Sequence, residues 1–359
     1  MNWKKKLLAL GLSLTLTLSL TACGQKTSEP EQPEEPTQTE EPADKTQDGT
    51  EAATAHFRIA ALKGPTAMGL VELMSLSDTA NEMMEGKENV VSTGNTYEFT
   101  LAGSADEVTP ALIKGDLDMA CVPANLAAVL YGKTDGAVEV LAVNTLGVLY
   151  IVENGDAVQS MADLKGQTIV TAGKGSTPEY ALRYLLTENG IDPDKDVTID
   201  WKSEHSECVA ALASGQASVA LLPQPFVTVA QSKIEGLRMA LDLNAEWDAL
   251  DNGSALITGV IVARRAVVEE NPAAVEAFLK DYAASVDWVN ANTADAAALI
   301  GEYSIVDAAV AEKALPYCNI VCLTGADLLE ALPGYLEVLY NASPAAVGGE
   351  MPDNSFYFA

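Results

Sequence analysis

Short apolar runs that alternate with amphipathic stretches of helical length constrain this chain most, because such alternation lays helices on the faces of mainly parallel sheets. The first predicted strand is Phe57 to Leu62, followed by a helix carrying Met68, Leu70, Val71, Leu73 and Met74. Strands are then expected at Tyr97 to Leu101, Met119 to Val122, Val138 to Asn144 and Val148 to Val152. A second series follows: Thr168 to Thr171, Val197 to Trp201, Ser218 to Leu222 and Arg238 to Leu241, with helices through Tyr180 to Leu185 and Ser206 to Ala213. Ala255 to Ala263 is continuous and apolar, as a strand returning between two lobes would be. From Pro272 onward the chain reads as mostly helical.

The first 55 residues read differently. Lys4, Lys5 and Lys6 precede an apolar stretch from Leu7 to Leu20, the pattern of an export signal and too short to cross a bilayer. Leu20, Thr21, Ala22 and Cys23 resemble the lipobox of bacterial lipoproteins, which implies a lipid on Cys23. Up to about Ala55 the chain has no apolar periodicity. It holds Pro30, Pro33, Pro36 and Pro42 and nine acids against Lys26 and Lys45. Such a segment cannot bury enough surface to fold and reads as an extended tether.

The chain carries a formal net charge of −30. Neutralising phosphates takes clustered Lys and Arg, and no basic stripe appears, so nucleic acid is excluded as a partner. Acidity alone identifies no ligand; it keeps an exported protein soluble.

Open α/β sheets bind ligands beyond the carboxyl ends of their strands, which directs attention to the strand-to-helix turns. Lys63, Gly64, Pro65 and Thr66 follow the first strand, with Thr66 expected to cap its helix. Ser104 offers a hydroxyl at the second turn and Asn125 an amide at the third. Gly173, Lys174, Gly175, Ser176 and Thr177 combine backbone freedom, a cation, two hydroxyls and a helix start marked by Pro178. A P-loop is excluded, because Lys174 is followed by Gly175 where Ser or Thr is required. The same turn reads equally as an ordinary helix start with Ser176 and Glu179 in a capping box. Gln224, between Pro223 and Pro225, and Thr258, beside Gly259, complete the set. Tyr150 and Tyr180 have rings that could stack on a flat ligand, though such positions more often serve a core.

Lipobox, tether, Lys63 to Thr66, the phrase Asp163, Leu164, Lys165, Gly166 before a strand, the Gly173 to Pro178 turn and the return strand near Thr258 together resemble an ABC-transporter substrate-binding protein. The nitrate, sulfonate, taurine and pyrimidine-precursor group is the nearest in kind. The resemblance implies a periplasmic-binding-protein type II fold: two α/β lobes, each a mainly parallel sheet flanked by helices, joined by two crossover strands. The expected division is a signal peptide over 1–22, lipidated Cys23 and linker over 23–55, lobe I over 56–150 plus 258–359, and lobe II over 151–257. It further implies hinge closure on a small polar or anionic molecule, delivery to an ABC permease, a monomer, no cofactor, and lipid anchorage on the extracytoplasmic face, with the long tether suiting a Gram-positive surface. Ligand contacts are expected at Lys63, Gly64, Thr66, Ser104, Asn125, Lys174, Gly175, Ser176, Thr177, Gln224 and Thr258.

Competing chemistries are poorly supplied. Glu204, His205, Glu207 and Cys208 form the only local cluster of metal-ligand types, but the chain has two histidines, and zinc favours several His or Cys. No Gly-x-Ser-x-Gly elbow accompanies either histidine, so a hydrolase triad lacks its frame. Related enzymes of thiamine or menaquinone biosynthesis are cytoplasmic as a rule, which the lipobox argues against, whereas a non-transport binding or signalling lipoprotein on the same fold would share it. Cys121 is expected in the core; Cys318 and Cys322 could close a small disulfide ring if their geometry allowed it.

Overall fold

The expected strands form where the apolar runs lie. A computed structural model of the chain describes residues 54–83 and 93–358; the expected signal peptide, Cys23 and nearly all of the acidic tether lie outside the described residues. The chain opens with β1 (His56–Leu62), α1 (Pro65–Met68), α2 (Val71–Met83), β2 (Thr96–Ala102), α3 (Ala105–Lys114), β3 (Met119–Pro123), α4 (Ala124–Lys133) and β4 (Val138–Leu146). A second run comprises β5 (Leu149–Glu153), β6 (Thr168–Thr171), α5 (Thr177–Glu188), β7 (Thr198–Trp201), α6 (His205–Ala213), β8 (Val219–Pro223), α7 (Phe226–Lys233), β9 (Arg238–Asp242) and α8 (Leu243–Ala249). The chain then returns through β10 (Ile257–Arg264) to α9 (Arg265–Glu270), α10 (Pro272–Ala291), α11 (Thr293–Glu302), α12 (Ala308–Ala314), β11 (Ile320–Leu323) and α13 (Gly325–Ala342).

Two sheets result, ordered β11-β4-β10-β3-β1-β2 and β7-β6-β8-β5-β9. The parallel pairing expected of βα units holds for β1 with β2 and β3, and for β6 with β7 and β8. The remaining pairs are antiparallel: β10 with β3 and β4, β11 with β4, and β5 with β8 and β9. The sheets are therefore mixed rather than mainly parallel. The antiparallel pairs gather at the strands that carry the chain between sheets, because β4 leads directly into β5 and β10 comes back beside β4. Both crossings leave strand ends facing the same region.

Each sheet has its own core. Phe57, Ile59, Tyr97, Met119, Cys121, Leu141 and Ile261 pack under Met68, Val71, Phe278 and Tyr282 from the helices. In the second sheet, Val152, Val170, Ala220 and Leu222 pack against Cys208, Val209, Leu212 and Val227. The long helix α10 buries Phe278, Tyr282 and Val289 along one stripe, as helical spacing requires. Cys121 is a buried thiol as expected, and Cys318 and Cys322 do not bridge; all four cysteines of the body are free. Among the described residues, no helix is long and apolar enough to cross a membrane.

Candidate functional site

Five prolines at strand ends and helix starts, Pro65, Pro123, Pro178, Pro223 and Pro225, converge on one cleft of about 280 Å³. From the first sheet it is lined by Leu62, Lys63, Gly64 and Thr66 after β1 and by Thr258 on the return strand. From the second it is lined by Ser176 and Thr177 at the start of α5, His205 at the start of α6, and Gln224 and Phe226 after β8, with Val148 and Leu149 at the crossing. The lining thus comes from the carboxyl ends of β1, β3 and β8 and from the two crossings, where an α/β sheet exposes backbone and short polar side chains.

Seven of the eleven expected contacts meet here: Lys63, Gly64, Thr66, Ser176, Thr177, Gln224 and Thr258. Ser104, Asn125, Lys174 and Gly175 do not line the cleft. Ser104 follows β2, the edge strand farthest from the crossings, and its hydroxyl donates to Glu107 Oε1 at 3.0 Å. Asn125 is buried and turned toward the C-terminal segment, donating through Nδ2 to the Ala346 carbonyl at 3.4 Å. Lys174 and Gly175 are exposed. The turn they occupy already holds an anion of its own, since the Gly175 amide donates to Glu179 Oε2 at 2.7 Å. Ser176 Oγ donates back to the Gly173 carbonyl at 2.7 Å, so no Ser176–Glu179 capping box forms. Thr66 does not cap α1 either; its hydroxyl donates to the Leu62 carbonyl at 3.0 Å, and Gly64 holds the cap position at φ 136°, a backbone region that favours glycine.

Tyr150 is buried in the second sheet's core and donates to the Tyr317 carbonyl at 3.0 Å. Tyr180 faces a different, wider surface cavity between α5 and α13. Among the described residues, no three His, Cys, Asp or Glu side chains gather as a metal site. Glu204 instead sits at the N-cap of α6 and Glu207 in its first turn, where acids suit the helix dipole.

Two lining side chains were not singled out as contacts by the sequence reading. Phe226 is the residue after Pro225, and the rule that picked Gln224 from its turn would have picked it as well. His205 opens α6 in the same way, and its ring lies 5.2 Å from that of Phe226, centroid to centroid. Burial pushes the His205 imidazole down to about 4, so it is neutral at pH 7.

Several polar atoms of the cleft have no hydrogen-bond partner among the described residues. Gln224 is 1% exposed, and its Oε1 accepts from Thr228 Oγ1 at 2.9 Å and from the Thr228 amide at 3.4 Å. Those donors fix the amide's orientation and leave Nε2 buried with no partner. His205 Nδ1 and Thr258 Oγ1 are likewise buried and unpartnered. Behind them Asn144 Nδ2 donates to the Thr66 carbonyl at 3.2 Å. A buried polar atom without a partner costs about 1–3 kcal/mol, which a ligand carrying complementary polar atoms offsets.

Among the described lining residues there is no Asp or Glu, and Lys63 is the one permanent charge. In a chain with 51 acids, an acid-free cleft with a lysine at its rim favours an anion or a molecule rich in acceptors.

Next to the lining residue Thr258, Gly259 packs tightly against the side chains of Asn144 and Thr66. A Cβ there would stand 2.5 Å from both Asn144 Oδ1 and Thr66 Cγ2. Gly259→Ala is therefore expected to lose about 1–3 kcal/mol of stability and to weaken ligand binding by moving Thr66. Urea denaturation and calorimetry check both; wild-type values in each would show that this packing yields freely.

The family model described as "ABC transporter, phosphonate, periplasmic substrate-binding protein" matches residues 88–313. A binding protein of Brucella abortus (strain 2308) is 27% identical over 199 residues, 55% of this chain and 59% of its own length. The chain thus spans little more than half of the curated relatives it matches. Among solved structures, an ABC transporter protein of Parabacteroides distasonis superposes with a TM-score of 0.68 at 22% identity, over 84% of this chain and 98% of the other. The periplasmic aliphatic sulphonate binding protein of Escherichia coli gives 0.66 at 15%, over 83% and 95%. At such identities the likeness carries the fold, that of the type II periplasmic binding proteins.

Proposed function

Because the chain belongs to the phosphonate family of ABC-transporter periplasmic substrate-binding proteins, we propose that the proline-rimmed cleft is the site at which it captures its ligand for the importer. In this reading it is the extracytoplasmic solute-binding component, a partner of an ABC permease and of a small ligand, and family membership supports that role. The observation that carries the site is the acid-free lining with Lys63 at its rim and three buried polar atoms unpartnered on Gln224, His205 and Thr258. Lys63, Gly64, Thr66, Ser176, Thr177, Gln224 and Thr258 make the contacts in this reading, with Phe226 and His205 added. Ser104, Asn125, Lys174 and Gly175 have no part in it.

We divide the body into two lobes, 56–150 plus 258–359 and 151–257. Sheet membership supports the two-part division but shifts its edges slightly: β5 (Leu149–Glu153) pairs in the second sheet and β10 (Ile257–Arg264) in the first, so the chain crosses at 147–148 and returns before Ile257. Binding closes the lobes, because contacts from both exist together only in the closed state. The protein acts without covalent chemistry, as a monomer held by lipid on Cys23 at the outer face of a Gram-positive membrane. The lipobox and acidic tether support the anchor, and a Cys23→Ala chain that stayed with the membrane would refute it.

The test of the site is a thermal-shift screen with alkylphosphonates, alkylsulfonates and nitrate. A ligand at a hundred times its Kd stabilises the folded state by about 2.7 kcal/mol, a shift of several degrees. Stabilisation that survives Thr258→Val and Phe226→Ala unchanged would remove the cleft as the site.

A further inference from the structure

His205 lies in the cleft with a geometry that contacts alone do not explain. Its Nδ1 is buried and meets no donor or acceptor, while the ring stacks at a tilt of 41° on Phe226, another lining residue. We infer, resting on the reading of this cleft as the ligand site, that His205 contacts the bound anion through Nδ1 and takes up a proton as the anion enters. The imidazole then becomes a second cation opposite Lys63, present only when a negative charge is there to receive it.

The surroundings favour a switch at this residue. On its own helix, Glu204 is exposed and accepts from Ser206 Oγ, and Glu207 accepts from the Ser203 amide at 3.2 Å. Just before the helix, Lys202 is paired with Asp200 at 2.9 Å. The Cys208 thiol, one turn along, is pushed up to about 11 by burial and stays protonated. From α7 the ring meets Phe226, which cannot titrate. Across the cleft stand Lys63 and the hydroxyls of Ser176 and Thr177. Burial is therefore what holds the free imidazole down at about 4, and none of these carboxylates is among the cleft's lining residues.

An anion placed within contact raises a neighbouring cation's pKa by about 1–3 units. With a rise from about 4 to about 6, linkage makes the anion bind about tenfold more tightly at pH 5 than at pH 8. The sign follows from the proton count: the complex holds more protons than the free protein between those two values, so affinity increases as pH falls. A neutral ligand gains nothing.

Two histidines in the sequence, His56 and His205, make the test direct. The ring resonances of the mature protein are followed by NMR against pH, with His56→Gln to assign them, alone and with ethylphosphonate or ethanesulfonate at 10 mM. The expected result is a His205 midpoint that rises by at least one unit with a probe that also raises the melting temperature. Calorimetry in two buffers of different ionisation enthalpy should then find protons taken up near pH 5, and His205→Gln should abolish both the uptake and the tenfold pH dependence. If a probe stabilises the protein but leaves the His205 midpoint in place, the proton linkage is wrong and the cleft reading stands. If neither probe stabilises the protein or moves His205, both fall.

Discussion

Replacing Gln224 with methionine is expected to weaken ligand binding by roughly 5- to 150-fold, equivalent to about 1–3 kcal/mol, while leaving the stability of the ligand-free protein within about 1 kcal/mol. Two opposing effects set the second figure. The substitution removes Nε2, a buried donor with no partner in the free protein, which is a gain. It also deprives Thr228 of the oxygen that accepts its hydroxyl and amide, which is a loss of similar size. Binding has no such compensation, since the ligand's acceptor then faces a thioether that cannot donate. A purely structural glutamine would behave differently, with stability falling and affinity unmoved. Denaturation in urea and calorimetry with the ligand from the thermal screen separate the cases. Thr228→Val supplies the control: it keeps the amide but releases its orientation, so affinity should fall by less than with Gln224→Met.

Gln224 was legible from the chain because its signal is local, a polar residue between prolines directly after a β-rich run. The same holds for β6, whose bounds Thr168–Thr171 coincide with the apolar run, and for the turn bearing Lys63 to Thr66. Properties decided by distant pairing were not legible. Ser104 and Thr66 sit in equivalent strand-to-helix turns, yet β1 is an inner strand and β2 an edge strand, and that order alone sends one to the cleft and the other to solvent. Lys174 looked like an anion ligand because glycines flank it; the sequence does not reveal that Glu179 folds back onto the Gly175 amide first. Strand β11 escaped because Ile320–Leu323 is four residues set between helices, and its pairing with β4 supplies the order its length cannot. His205 was weighed as a metal ligand beside Glu204, Glu207 and Cys208, whereas the fold sets its ring against Phe226 and gathers no three such side chains among the described residues.

Asp118→Ala is expected to cost about 1.5–3 kcal/mol, because it removes the carboxylate shared by two partly exposed guanidinium groups. Asp118 is 6% exposed. Its Oδ2 accepts from the Arg58 amide at 3.0 Å and Arg58 Nε at 2.9 Å, and its Oδ1 from Arg58 at 2.7 Å and Arg264 at 2.8 Å. Burial raises the carboxyl's pKa, but the bonds from Arg58 and Arg264 outweigh it and hold the group below the usual carboxylate range. The folded chain therefore binds this proton less readily than the unfolded chain. Its contribution is complete above the unfolded value of about 3.9 and disappears as pH falls through the lower folded value. The gap in urea midpoint between wild type and Asp118→Asn should be full at pH 7 and narrow as pH is lowered below about 3.9. Replacing all three groups together, as Arg58→Met, Asp118→Leu and Arg264→Met, should recover much of the loss, since no charge is then left buried and unpaired. Binding should be unaffected in every variant that folds. Arg58 enters β1, Asp118 precedes β3 and Arg264 ends β10, whereas the cleft takes Leu62, Pro123 and Thr258 from the opposite ends of those strands. A tenfold change in Kd in the triple variant would mean that the charged end of the sheet is coupled to the cleft along the strands.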